Sequence, residues 1–212
     1  MNRAQSGPHC GSLGDYLRRV LILQLCFGAI AAGLAFFATG SFAAVPPSDS
    51  LHRLSFPLTD QRGQRFTLAE ERRPATVVSM FYGDCHSACP IAIETTKRMV
   101  ETVPAARRKN LRVLLISLNP GTDTPEMLGH LVMRHELDPQ VFRFGIPADE
   151  SHTRQIAATL GIKYRRLPDG EINHSTRFVL LDADGRIVKT SDRLGVEPET
   201  DFLEAIDKAV GR

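Results

Sequence analysis

The chain has no tryptophan and only four cysteines in 212 residues. From Val45 onward it also has no net charge, and the formal +2 comes from the residues before it. Each shortage removes a class of protein. A small secreted scaffold held by disulfides needs many more cysteines. A nucleic-acid-binding domain needs a basic excess, so no nucleic acid is expected as partner. There is no C-x-x-C pair, which removes the commonest dithiol redox motif, and no internal repeat or low-complexity tract is visible.

Charge is also missing from one long stretch. After Arg18 and Arg19, residues 20–44 contain no charged side chain, and only Gln24, Thr39 and Ser41 are clearly polar. About 20 apolar residues cross a bilayer. The run also ends in Ser41-Phe42-Ala43-Ala44, small residues that resemble a signal-peptide cleavage site. Anchor and signal peptide both fit, and the length favours the anchor. In either case the arginines stay on the cytoplasmic side and the rest of the chain is exported. The expected location is therefore the cytoplasmic membrane with the domain facing the periplasm, or the periplasm itself after cleavage. The chain divides into a signal peptide or anchor over 1–44, a linker over 45–53 rich in proline and serine, and a domain over 54–212.

The whole chain is 42% hydrophobic and 24% charged, enough for one core. Residues 56–70 read as two short strands around Arg62-Gly63. Residues 76–82 and 113–118 are short, apolar and β-branched, and read as buried strands. Helices are expected over 90–103, 124–137, 150–160 and 198–210, with Asp123 or Thr124 capping the second. Residues 142–146 read as a strand, and 177–181 with 186–190 as a hairpin turned by Asp182-Ala183-Asp184-Gly185. Strands that alternate with helices and end in a hairpin and a helix make an α/β domain, a mixed sheet with helices on both faces.

Cys10 and Cys26 fall before or within the apolar run, which leaves Cys85 and Cys89 as the exported thiols. They lie where a buried strand runs through a loop into a helix, in Cys85-His86-Ser87-Ala88-Cys89-Pro90. Residues four apart on a helix share a face, so the two sulfurs can converge. A helix N-terminus favours negative charge and lowers a thiol's pKa. Such a pair can exchange disulfides or bind a soft metal. A purely structural disulfide would close too short a loop to stabilise much.

A third ligand would help a metal. Seven histidines are available. His9 lies before the apolar run. His130 and His135 are five apart and read as surface residues, His52 and His152 have no motif around them, and His86 reads as a solvated loop residue. His174 lies in Glu171-Ile172-Asn173-His174-Ser175-Thr176 before a core strand, and alone it reads as structural more readily than as a ligand.

Three motifs in order resemble the SCO/SenC family, copper-handling assembly proteins of cytochrome c oxidase with a thioredoxin-like fold. Cys85-His86-Ser87-Ala88-Cys89-Pro90 is similar to the family's C-x-x-x-C-P. Ser117-Leu118-Asn119-Pro120-Gly121-Thr122-Asp123-Thr124-Pro125 resembles its S-x-D-P-x-x-D-T-P. Asn173-His174-Ser175-Thr176, leading to Leu180-Leu181-Asp182-Ala183-Asp184-Gly185, resembles its D-H-S-T strand and hairpin. Asn119 and Asn173 replace family aspartates, which puts affinity or partner recognition in question.

The resemblance implies a thioredoxin-like mixed β-sheet flanked by helices, from about Leu54 to the C-terminus, behind an N-terminal membrane segment. It implies copper, Cu(I) or Cu(II), on Cys85, Cys89 and His174. The implied role is a metallochaperone that delivers copper to the dinuclear copper site of an oxidase subunit or a related copper enzyme. Its other partner would be a copper donor chaperone or a thiol reductant. The alternative is a thiol–disulfide oxidoreductase that reduces the partner's site cysteines through Cys85 and Cys89. A peroxidase is disfavoured, because no tryptophan or suitably placed threonine accompanies Cys85.

Overall fold

A buried strand of seven residues, β3 (Ala75–Phe81), organises the fold, and none of its side chains reaches solvent. Its β-branched and apolar sequence suits a strand covered on both sides. The computed structural model describes residues 47–211. In chain order they form β1 (Leu58–Thr59), β2 (Arg65–Phe66), β3, α1 (Ala88–Thr102), β4 (Leu111–Ser117), α2 (Pro125–Arg134), β5 (Phe142–Pro147), α3 (Glu150–Leu160), β6 (Tyr164–Arg166), β7 (Ile172–His174), β8 (Phe178–Leu181), β9 (Ile187–Ser191) and α4 (Thr200–Val210).

Seven strands make one sheet in the order β2-β1-β5-β4-β3-β8-β9, while β6 and β7 form a separate two-stranded hairpin. β3, β4 and β5 are parallel and are joined through α1 and α2. β8 returns antiparallel to β3, and β9 antiparallel to β8. This is the mixed sheet flanked by helices that the pattern predicts. Because β3 and β4 are parallel neighbours, with Phe81 opposite Ser117, the loops that follow them open on the same edge. Ligand sites in open α/β sheets form at that edge, beyond the carboxyl ends of the strands.

The boundaries differ from the sequence reading in informative ways. α1 begins at Ala88 rather than at Pro90, so Cys89 lies inside its first turn. α2 ends at Arg134, and Glu136 takes a positive φ of 51° that ends the helical path. The stretch read as a linker extends the fold at its end: Leu51 is fully buried and Ser50 bridges to Arg186 beside the β8–β9 hairpin. The β6–β7 hairpin is absent from the sequence reading, although Pro168-Asp169-Gly170 is a turn signal, with Gly170 at φ 92°. Among the described residues no helix is long and apolar enough to cross a membrane. The apolar run over 20–44, with Cys26, and Cys10 and His9 before it, lies outside the described residues.

Candidate functional site

Cys85 ends a short loop after β3, where its backbone N–H donates to the Tyr82 carbonyl at 3.2 Å. Cys89 follows in the first turn of α1, and its backbone N–H donates to the Cys85 sulfur at 3.3 Å. Both are buried and both are free thiols. The helix start therefore turns an unpaired donor toward Cys85, as the sequence position predicts.

The two thiols are unequal. Burial works against the Cys85 thiolate, but hydrogen bonds from the Cys89 side chain, from the Ser87 and Cys89 backbones and from the Tyr82 hydroxyl outweigh it, so its pKa lies below the ordinary thiol value. Burial pushes the Cys89 thiol well up, and a charged Cys85 beside it adds to that. Tyr82 is pushed up to about 12, by burial first and then by Cys85. Its phenol stays protonated and able to donate.

His174, the last residue of β7, closes the site from the β6–β7 hairpin. Its Nε2 lies 3.9 Å from the Cys89 sulfur. Its Nδ1 is 3.2 Å from the Ser175 carbonyl, which can only accept, so Nδ1 carries the proton in the neutral ring and Nε2 keeps its lone pair. Burial lowers the His174 pKa, which favours that neutral form, and the Ser175 contact opposes it. The Tyr82 and His174 rings meet edge to face at 6.1 Å. A cleft of about 240 Å³ runs along this face, lined by Cys85, Tyr82, Leu167, Ile172 and His174 among others.

The loop after β4 braces the loop after β3. Asp123 Oδ1 accepts from the Gly83 N–H at 3.0 Å, and Oδ2 accepts from the Ser117 hydroxyl at 2.5 Å. Burial raises the Asp123 pKa against the pull of these two donors. Thr124, not Asp123, caps α2 by accepting from the Met127 N–H. A Cβ on Gly83 would come within 2.7 Å of Asp123 Oδ1 and 2.9 Å of Met127 Cε, so the approach needs glycine.

The sequence-expected trio thus comes together, with Cys89 touching both other members. Among the described residues no three His, Cys, Asp or Glu side chains stand close enough together to hold a metal ion as they are, the trio included. His86 is exposed and faces the opposite side of the thiols, where a second cavity of about 110 Å³ is lined by Cys85, Cys89, His86 and His135. His135 corrects the surface reading: its side chain is only 12% exposed and its Nδ1 lies 2.9 Å from Glu94. His130 is exposed as expected. His52 is buried beside the β8–β9 turn, and His152 packs on the Phe56 ring, both far in role from the thiols.

A dithiol at the start of the helix that follows a buried parallel strand, in a mixed sheet closed by a hairpin and a helix, defines a thioredoxin-like domain. The chain belongs to the SCO1/SenC family, whose profile matches residues 46–211. Two relatives are similar over much of the chain. One, from Stutzerimonas stutzeri, carries a provisional copper-binding name and is 22% identical over 134 residues, 61% of this chain and 64% of that protein. The chain thus spans just under two thirds of that relative's length. The other is the SCO1 protein homolog of Bacillus subtilis, 21% identical over 186 residues, 85% of this chain and 95% of that protein. Among solved structures, copper-bound ScoI of Bradyrhizobium japonicum superposes with a TM-score of 0.56 at 22% identity, covering 71% of this chain and 96% of that one. BsSco, described with a disulfide switch and as a member of a family of cytochrome c oxidase assembly proteins, superposes with a TM-score of 0.61 at 18% identity, covering 79% and 96%. At these identities the superpositions speak for the fold.

Proposed function

We propose that this protein takes a copper ion as cargo on Cys85, Cys89 and His174 and hands it to the dinuclear copper site of a cytochrome c oxidase subunit or a related copper enzyme. The observation that carries this reading is the meeting of two thiols and one imidazole lone pair from segments 85 positions apart in the chain. Thiolate and imidazole are the donors copper selects. The spacing fits a shared ion. First-row metals bind sulfur at about 2.3 Å and imidazole nitrogen at about 2.0 Å, which holds the two donor atoms roughly 3.5–4 Å apart. The Cys89 sulfur and the His174 Nε2 are 3.9 Å apart. Family membership and the copper and oxidase-assembly descriptions of the relatives support the same reading.

The apolar run over 20–44 supports placement on the outer face of the cytoplasmic membrane, where a copper donor chaperone or thiol reductant could reach the cleft. The test is copper titration of the reduced full chain, wild type beside His174→Ala. About one copper per wild-type chain, held more weakly by the variant, is the expected result. Equal affinity in both removes His174 from the site.

A second reading rests on the same two thiols. Cys85 as thiolate can attack a partner disulfide and release one partner thiolate. Cys89 then attacks the mixed disulfide, leaving a Cys85–Cys89 disulfide and two reduced partner cysteines. The adjacency of the two free thiols favours it. Both readings fit one cycle, in which the partner is first reduced and then metallated.

A further inference from the structure

The motif that runs from Ser117 to Pro125 holds none of the three candidate ligands, yet a chain of hydrogen bonds passes through it from one half of the site to the other. At one end Gly83, two residues before Cys85, donates to Asp123. Asp123 accepts from the Ser117 hydroxyl, whose oxygen accepts from the Asn119 N–H at 2.9 Å. The Asn119 side-chain oxygen then accepts from Arg166 Nη2 at 2.9 Å, across 47 residues of sequence. Arg166 is on β6, opposite Ile172 on β7, and His174 is two residues further along β7.

We infer that the Arg166–Asn119 hydrogen bond is a latch, which holds the β6–β7 hairpin with His174 against the thiols and sets the rate at which the site opens to release its metal. The inference rests on the metal reading of the site. A hairpin with two three-residue strands has little stability of its own and depends on its tethers. Two other tethers hold the hairpin. Tyr164 donates to Glu150 at 2.6 Å at the hairpin's base, and the Ile172 backbone bonds Tyr82 beneath a buried Ile172 side chain. Arg166 is exposed, whereas Asn119 is buried, so water can replace this bond on one side. The acceptor is a neutral amide. The guanidinium already charge-assists the bond, and a carboxylate there would add an opposite charge and strengthen it further. Asn119 therefore gives a looser latch than the same position could provide, which suits a site that must give its metal up.

Arg166 and Asn119 are positioning residues, and opposite substitutions should move release in opposite directions. The full chain is loaded with Cu(I) and mixed rapidly with an excess of a chromophoric Cu(I) chelator. Arg166→Ala should release copper about fivefold faster. Asn119→Asp should release it about fivefold slower, a gain that damage to the fold would not produce. In the double variant Asn119→Asp/Arg166→Ala the slowing should vanish, because the added carboxylate has lost its partner. Wild-type release from Arg166→Ala, or slowing by Asn119→Asp that persists without Arg166, overturns the latch while leaving the copper site standing. A Cys85→Ser chain that retains copper overturns the metal reading itself, and the latch with it.

Discussion

His174 Nε2 lies 3.9 Å from the sulfur of Cys89, although 85 positions separate them in the chain. Neither residue reaches the other through its own secondary structure. Cys89 is presented by the first turn of α1, and His174 by the last residue of β7, and the docking of the β6–β7 hairpin fixes the gap.

Copper binding should depend on both thiols. Cys85→Ser or Cys89→Ser should abolish tight Cu(I) binding, measured by competition with a chromophoric chelator. Near-normal affinity in the double variant would rule out the site.

His174→Ala should separate metal handling from thiol chemistry. Copper affinity should fall by about tenfold or more, because loss of the imidazole leaves two thiolates and water. Disulfide exchange should stay within roughly a few-fold of wild type, since exchange depends on thiolate character and access. If His174 only packed at the strand end, the variant would lose thermal stability with copper affinity unchanged.

Oxidation should release the metal. Mild oxidant should join Cys85 to Cys89, seen as a loss of two hydrogens by mass spectrometry, and copper should appear in the filtrate, because a disulfide has no thiolate to offer. Copper retained alongside an intact disulfide would contradict this.

Gly83→Ala should destabilise the loop without touching a thiol. The added methyl meets Asp123 Oδ1 and Met127 Cε below 3.0 Å. A cost of about 1–3 kcal/mol is expected in urea unfolding, together with weaker copper binding as Cys85 shifts. An unchanged midpoint would show that the loop can yield at no cost.

Acid should weaken the fold through Asp60. This carboxylate is fully buried, and burial alone would raise its pKa. The Gln64 and Arg62 backbone N–H groups and the Arg143 guanidinium outweigh that, and the net shift is downward. A depressed carboxyl contributes stability that is present above its unfolded value of about 3.9 and is lost as pH falls through the lower folded value. Asp60→Asn should therefore cost about 2 kcal/mol at pH 7, by removing a charge-assisted bond to Arg143 while Glu71 still pairs with the guanidinium. The gap between wild type and variant should close below about pH 4. A gap that stays constant down to pH 2 would show that Asp60 is not the group responsible.

Much of this protein is legible in its sequence, because short-range rules govern it. The buried strands β3 and β4 follow from β-branched apolar runs. α3 spans 150–160 as its cap and its closing Gly161 require. Cys85 and Cys89 were marked by spacing at a strand-to-helix turn, and His174 only by resemblance to a family motif, since a lone histidine near a strand has no local signature. What the sequence could not order was space. The hairpin that carries His174 has strands of three residues, too short for a period to show. His135 turns inward because α2 ends beside α1, where Glu94 meets it. Ser117, Asn119 and Asp123 read as turn and cap residues, yet parallel pairing of β3 with β4 puts their loop beside the cysteine loop, and β6 brings Arg166 down upon it. Local sequence determines which groups are present and how each is made ready. Only the tertiary arrangement decides which of them meet, because contacts between residues distant in the chain depend on neighbours that no local pattern encodes.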